Sequence, residues 1–344
     1  MIRSDRARLP AGVFAGGICL LAATLAAVPA LAGSCPETKQ SVRFGFYAYF
    51  EPVSHSAARE PGAAGFDEHR GYEADLLTAL EAMKGINLSF LRRGVTAWEG
   101  IWLLPSGPDY DMTGGGITAL ESRTHDAAGT RAIAFTASHI QFRQSLLVRA
   151  EDAKRLTRYE KLDNAVRVGV IAATTGESRL LEMVGLVDTN GFLAAGVRID
   201  TPRGVVIADG SPSFRITAAG AGPALDGRQR LYPPSPGMPQ VVYMANEEAL
   251  IRALLAGEID AFAQAEIGNR QAARAYGDRL VIGTVEEGTE AGGFAVAASD
   301  TALAACVNEA IGWLTDGGRI GYRDWFDDPG IFLHRARLWN GGLR

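Results

Sequence analysis

The chain has 344 residues, of which 47% are hydrophobic and 21% charged. That length accommodates two globular domains, and the composition is foreign to disordered or collagen-like chains. A formal net charge of −5 speaks against a nucleic-acid binder, which relies on a basic stripe. Only Lys39, Lys84, Lys154 and Lys161 are lysines; the other basic residues are arginines. In so arginine-rich a chain, a single Arg carries weight only where its neighbours single it out.

The N-terminus opens with Arg3, Arg6 and Arg8, followed by an apolar stretch over 11–28 and a small-x-small pattern at Ala30-Leu31-Ala32. These features predict a secretory signal peptide over 1–32, cut after Ala32. A retained membrane anchor and a lipid on Cys35 are the alternatives. No later segment reaches the ~18 consecutive apolar residues of a spanning helix, so the mature protein is expected to be soluble. Cys35 and Cys306 lie beyond the signal. In an oxidising compartment they can pair, while Cys306 also fits the pattern of a buried helical thiol. Both readings stand.

In chain order, residues 42–47 alternate as a strand, 52–70 read as a Gly/Pro/Ala-rich loop, and 73–83 carry a helical apolar pattern. Residues 86–91 read as a strand, 98–104 as a short helix and 110–113 as a strand running into Gly114-Gly115-Gly116. Further strands are expected at 133–135 and 142–148, then a charged surface helix over 151–164. A buried strand over 166–171 precedes a helix over 177–184. The Gly-, Ala-, Pro- and Ser-rich stretch 191–240 has no helical period and reads as an inserted β-hairpin or long loop. Alternation then resumes: strand 241–244, helix 247–255, strand 259–263, helix 266–276 and strand 293–297. Helices at 301–314 and 320–326 close the pattern. Alternating strands and helices imply an α/β protein with parallel sheets.

Catalytic signatures are sparse. The chain has no Gly-Lys dipeptide for a phosphate loop, no His-Glu-x-x-His and no Gly-x-Ser-x-Gly elbow. His55, His69, His125, His139 and His334 show no metal-ligand spacing. No metal and no cofactor are expected.

Several segments, taken in order, resemble the polar amino acid branch of bacterial periplasmic solute-binding proteins, family 3. They are Gly71-Tyr72-Glu73-Ala74-Asp75-Leu76; Tyr110-Asp111-Met112-Thr113-Gly114-Gly115-Gly116-Ile117-Thr118 with Glu121-Ser122-Arg123 and Ile133-Ala134-Phe135-Thr136; Arg167-Val168-Gly169-Val170 with Thr174-Thr175-Gly176-Glu177; Leu255-Ala256-Gly257-Glu258-Ile259-Asp260-Ala261; and the run 314–326. Together they span 42–326. The resemblance implies a two-lobed α/β periplasmic-binding-protein fold (type II), its lobes joined by two crossover strands at 144–149 and 292–297. Lobe I would comprise 41–145 and 292–344, and lobe II 146–291. It further implies a periplasmic, monomeric, non-enzymatic protein that clamps a small carboxylate, an amino acid or an analogue, and delivers it to an ABC transporter permease.

By the same resemblance Arg123 is the carboxylate anchor, a planar fork matched to two oxygens, aided by Gly115, Gly116 and Thr118. Thr174, Thr175 and Gly176 sit between a strand and a helix, where amides favour an anion; helix capping by a Thr is the plainer role. Phe50 or Tyr49 supplies the aromatic wall, and Trp98 reads as core. The family's acidic partner for an α-ammonium falls on Ala265, and Tyr47 stands where a second acid is expected. Either Glu266 takes over, or the ligand lacks an α-ammonium. Two other readings remain: a dehydratase-like enzyme on the same scaffold, and a sensor's binding domain.

Overall fold

The computed structural model describes residues 35–342; the expected signal peptide and its cleavage site lie outside them. Two mixed sheets, each flanked by helices, form two lobes. The sheet of lobe I runs, edge to edge, Leu88–Val95, Gln40–Tyr47, Met112–Gly114, Ala295–Ala297 and Ile133–Phe135. Its first three strands are parallel, and Ala295–Ala297 runs antiparallel to both neighbours. Gln40–Tyr47 is central, and Phe44, Phe46 and Tyr47 are all buried, as expected of a strand covered on both faces.

Lobe II has eight strands in the order Gly204–Ile207, Arg198–Thr201, Arg230–Tyr232, Gln240–Tyr243, Arg167–Val170, Ala261–Ala265, Gln144–Arg149 and Leu280–Val285. Parallel pairing is confined to the three strands around Arg167–Val170. A two-stranded antiparallel ribbon, Ile140–Phe142 with Glu290–Gly292, sits where the chain passes between the sheets. It precedes the segments expected to cross and overlaps them only at Gly292, and 144–149 is wholly a lobe II strand.

Seven α-helices cover the sheets among the described residues: α1 (Tyr72–Glu81), α2 (Thr175–Met183), α3 (Glu247–Ala256), α4 (Glu266–Tyr276), α5 (Thr301–Leu314), α6 (Tyr322–Asp327) and α7 (Ile331–Asn340). Asn246 caps α3 through Ala249 N, and Gly257 ends it at φ 73°, a left-handed geometry that suits Gly. Asp300 caps α5 in the same way through Leu303 N. Helix α7, absent from the sequence-based pattern above, buries Phe332, Ala336 and Trp339. That i, i+4, i+7 spacing was present in the sequence.

Two other expectations change. The 151–164 run is not a helix but two short 3₁₀ turns, Ala150–Asp152 and Tyr159–Lys161. Leu156, Tyr159 and Leu162 are buried, and their spacing of three matches 3₁₀ rather than α geometry. Of the two alternatives for the 191–240 insert, the β-hairpin agrees with the structure, in Arg198–Thr201 with Gly204–Ile207, and the long loop does not. The insert adds three antiparallel strands to the lobe II sheet and projects a small hairpin, Ile216–Thr217 with Gly220–Ala221. Cys35 and Cys306 form a disulfide with a Cα–Cα distance of 4.6 Å, tying the start of the described chain to α5. Among the described residues no helix is long and apolar enough to cross a membrane.

Candidate functional site

The Gly114-Gly115-Gly116 loop leaves its strand beside α1. Glu73, fully buried in the first turn of α1, accepts the amides of Gly115 (2.7 Å) and Gly116 (2.9 Å). Both glycines have positive φ. A Cβ on Gly115 would stand 2.4 Å from Tyr47 Cβ, and one on Gly116 would stand 2.6 Å from the Phe50 ring, so glycine is required at both. Burial pushes the Glu73 carboxyl up to about 7, against the lowering pull of those two amides.

This loop delivers Gly116 and Thr118 to a cavity of about 30 Å³ between the lobes. Phe50, Trp98, Gly116, Thr118 and Phe142 line it on one side, and Gln144, Thr174, Thr175, Glu247, Gln264 and Ala265 on the other. The space holds only a water or two. Five of the expected site residues therefore converge: Phe50, Gly116, Thr118, Thr174 and Thr175. Trp98, read as core, is buried and lines the cavity as well, donating from Nε1 to the Ala173 carbonyl (3.0 Å).

The hydroxyl of Thr174 is spent on structure. It accepts from Glu177 N (3.0 Å), capping α2, and donates to the Ile171 carbonyl (2.8 Å). The hydroxyls of Thr118 and Thr175 belong to a polar chain across the lobes. Gln144 Nε2 donates to Thr175 Oγ1 (2.8 Å) and to Glu290 Oε2 (2.9 Å), and Thr118 Oγ1 donates to the same Glu290 oxygen (3.4 Å).

Arg123 does not line the cavity. Its side chain is fully buried, stacked 4.4 Å from the Trp102 ring and 5.6 Å from that of Trp98. Nε donates to Ala218 O (2.9 Å), one terminal nitrogen to Thr118 O (3.0 Å) and the other to Ala173 O (2.9 Å). Two of these acceptors belong to lobe II: Ala218 at the tip of the inserted hairpin, and Ala173 in a left-handed turn at φ 59°. Burial lowers the guanidinium to about 9, so it remains protonated at neutral pH.

The other expected residues lie apart. The Gly115 amide serves Glu73. Gly176 permits α2 to approach the sheet: a Cβ there would stand 2.8 Å from the Ala263 carbonyl. Tyr49 faces a second pocket. Glu266 is held by Arg143 (2.7 Å) and Arg270 (2.5 Å) and reaches no cavity wall beside Ala265.

Sequence reasoning missed Glu247 and Glu290. Glu247, the first residue of α3, accepts from Tyr47 Oη (3.2 Å) and Gln264 Nε2 (2.8 Å). Burial raises its carboxyl to about 8. Glu247 meets Tyr47 from the opposite lobe and lines the cavity. An acid in the first turn of a helix is too common to have flagged it.

No protein-family model matches the sequence, and no curated protein matches it. Solved structures do. Holo ArgBP from T. maritima is 20% identical, with a TM-score of 0.52 over 83% of this chain and 96% of that one. The amino acid ABC transporter substrate-binding protein AbpA from Streptococcus pneumoniae, bound to L-arginine, is 12% identical, with a TM-score of 0.54 over 86% and 95%. An ancestral amino acid-binding protein, AncCDT-1, a precursor of cyclohexadienyl dehydratase, is 17% identical, with a TM-score of 0.53 over 87% and 95%. At these identities the likeness establishes the fold: two-lobed, mixed α/β, that of amino acid-binding proteins.

Proposed function

We propose that this chain is the extracytoplasmic substrate-binding component of an ABC-type importer, taking an amino acid or related small carboxylate between its lobes. The observation that carries the reading is the convergence of Phe50, Gly116 and Thr118 with Thr174 and Thr175 around one cavity at the lobe junction. The known ligands of the structural neighbours, L-arginine among them, support an amino acid or an analogue. The signal-like segment 1–32 supports export to the periplasm. In this reading lobe I is 41–143 with 292–344, lobe II is 144–291 because Gln144–Arg149 pairs within its sheet, and the protein acts as a monomer that docks on a permease.

A cavity of about 30 Å³ admits no amino acid, so the lobes must separate. Two of the three Arg123 acceptors would leave with lobe II. That exposes a planar, charged fork suited to a carboxylate. Thr118 and Thr175 would give the carboxylate hydroxyl donors in place of their present partners. Phe50 packs on the apolar part of the ligand, Gly116 lets it approach the backbone, and Thr174 and Gly176 fix the start of α2. Gly115 holds the loop, Tyr49 borders the outer pocket, and Glu266 stays with its arginines.

The test is a thermal-shift screen of amino acids and organic acids on the exported protein. Hits are followed by calorimetry on matched pairs, an α-amino acid and its desamino analogue. At least one small carboxylate should stabilise the protein, and the pair should bind within about tenfold of each other, because Ala265 leaves the α-ammonium without its usual partner. No stabilising carboxylate in the screen overturns the reading.

A second reading is favoured by Glu247. A carboxyl held protonated near neutral pH in a cleft suits a general acid, and AncCDT-1 is named as a precursor of a dehydratase. Elimination of water from a cyclic carboxylate, abolished by Glu247→Gln, would select this enzyme reading over transport.

A further inference from the structure

A second pocket, about 430 Å³, lies beside the cavity just described. Its floor and rim come from the 48–59 segment of lobe I and from α3 and α4 of lobe II. Glu247 and Gln264 line both spaces, so a single layer of two side chains separates them. The larger space is of the size that small-molecule sites occupy.

Its titratable lining is one-sided, and Glu247, which burial keeps protonated up to about 8, ionises when a cation stands beside it. Glu51, Glu247 and Glu248 line it, against a single cation, Arg59, already paired with Glu248 at 3.0 Å. Neither Glu51 nor Glu247 has an ion-pair partner among the described residues; they accept only neutral donors, Gln271 and Tyr47 with Gln264. His55 adds no charge, because burial lowers its pKa.

An independent feature points the same way. Asn269, fully buried in α4, is part of this wall. Its amide nitrogen is committed to Ser145 Oγ (2.8 Å) and to the carbonyls of Ser145 and Gln264 (3.3 Å each). Those three oxygens orient the amide, and Oδ1 is left without a partner, as is His55 Nδ1. A buried amide oxygen of this kind calls for an N–H donor.

We propose that the larger pocket is the distal half of the ligand site and takes a cationic side-chain group, an ammonium or guanidinium, ion-paired with Glu247. The carboxylate end then occupies the inner cavity and the cation reaches outward past Gln264. This rests on the solute-binding reading above and narrows its ligand to a carboxylate with a cation several bonds away. A charge-assisted contact of this kind is worth about 10- to 150-fold in affinity.

The experiment is calorimetry on the exported, full-length mature protein with L-arginine and L-citrulline, which share a shape and differ in side-chain charge. Arginine should bind more than tenfold tighter. In Glu247→Gln, checked by its melting curve, the ratio should fall to about threefold or less. Equal affinities in the unsubstituted protein, or an unchanged ratio in a folded Glu247→Gln, overturn the proposal. If the variant does not fold, the ratio in the unsubstituted protein decides alone. Binding of citrulline without charge preference sinks only this inference. A protein to which no small carboxylate binds sinks the solute-binding reading, and this inference with it.

Discussion

Three buried carbonyls accept from the Arg123 guanidinium, and those of Ala173 and Ala218 belong to the opposite lobe. Ala173 O also accepts from Trp98 Nε1 and Thr118 O from Leu120 N, which leaves Ala218 O as the one served by Arg123 alone among the described residues. The side chain is therefore both a proposed ligand anchor and a latch. Arg123→Ala should cost more than ligand affinity, because the Ala218 carbonyl, left buried without a donor, costs about 1–3 kcal/mol. The expected result is loss of detectable binding together with a urea midpoint lowered by an amount equivalent to about 1–3 kcal/mol. Native stability with lost binding would mean the latch is not formed in solution. Unchanged binding would remove Arg123 from the site. Glycine choice follows the same short-range logic. Gly116 lies under the Phe50 ring at φ 71°, where any side chain would displace the aromatic wall.

At the scale of elements, the insert is what distinguishes lobe II. Arg228, which it contributes, forms a buried pair with Glu177 of α2 at 2.8 Å, and Tyr243 donates to the same carboxylate at 2.7 Å. The other Glu177 oxygen accepts the Ala173 amide at 2.6 Å. The insert thus fixes the turn whose carbonyl meets Arg123 and Trp98, while its own hairpin supplies Ala218. Breaking a buried pair from one side leaves an uncompensated charge and costs about 3–5 kcal/mol. Arg228→Ala should lower the denaturation midpoint by that order and weaken ligand binding, although Arg228 lines neither pocket. Normal affinity in a folded Arg228→Ala would show that the insert does not set the turn.

For the whole molecule, buried titratable groups set the pH dependence of stability. Glu73 and Glu247 hold their protons to about 7 and about 8 because burial disfavours the charged form. Their folded pKa values lie above the unfolded one, so their contribution is full at low pH and is lost as pH rises through those values. His69 and His139 are lowered by burial, His139 to about 3. Their contribution is lost as pH falls through the ordinary histidine value of about 6.5, and above about 7.5 it hardly changes. Between pH 6.5 and 8.5 the carboxyls outweigh the small remaining gain from the histidines, and stability should fall by about 1–3 kcal/mol. Urea titrations at the two pH values check this; a flat or rising midpoint contradicts it. A saturating cationic ligand should reduce the loss by stabilising ionised Glu247.

Local chemistry settled much of this protein in advance. Alternating apolar patterns placed the strands at 42–47 and 133–135, and helices α4 and α5 at 266–276 and 301–314, because period and capping act over one or two turns. The same short-range signals marked the Gly114-Gly115-Gly116 loop and Thr174-Thr175, which converge on one cavity. Contacts between residues far apart in the chain were beyond such signals. Glu247 meets Tyr47 across 200 positions, and Cys35 meets Cys306 across 271. The carbonyls that occupy Arg123 come from 50 and 95 residues away. The insert read as a β-hairpin or a loop, and its joining to the lobe II sheet was not legible because Arg230–Tyr232 finds one of its partners in Gln240–Tyr243. Pairing, burial and the charge of the outer pocket arise from surfaces brought together on folding, and those only the tertiary structure decides.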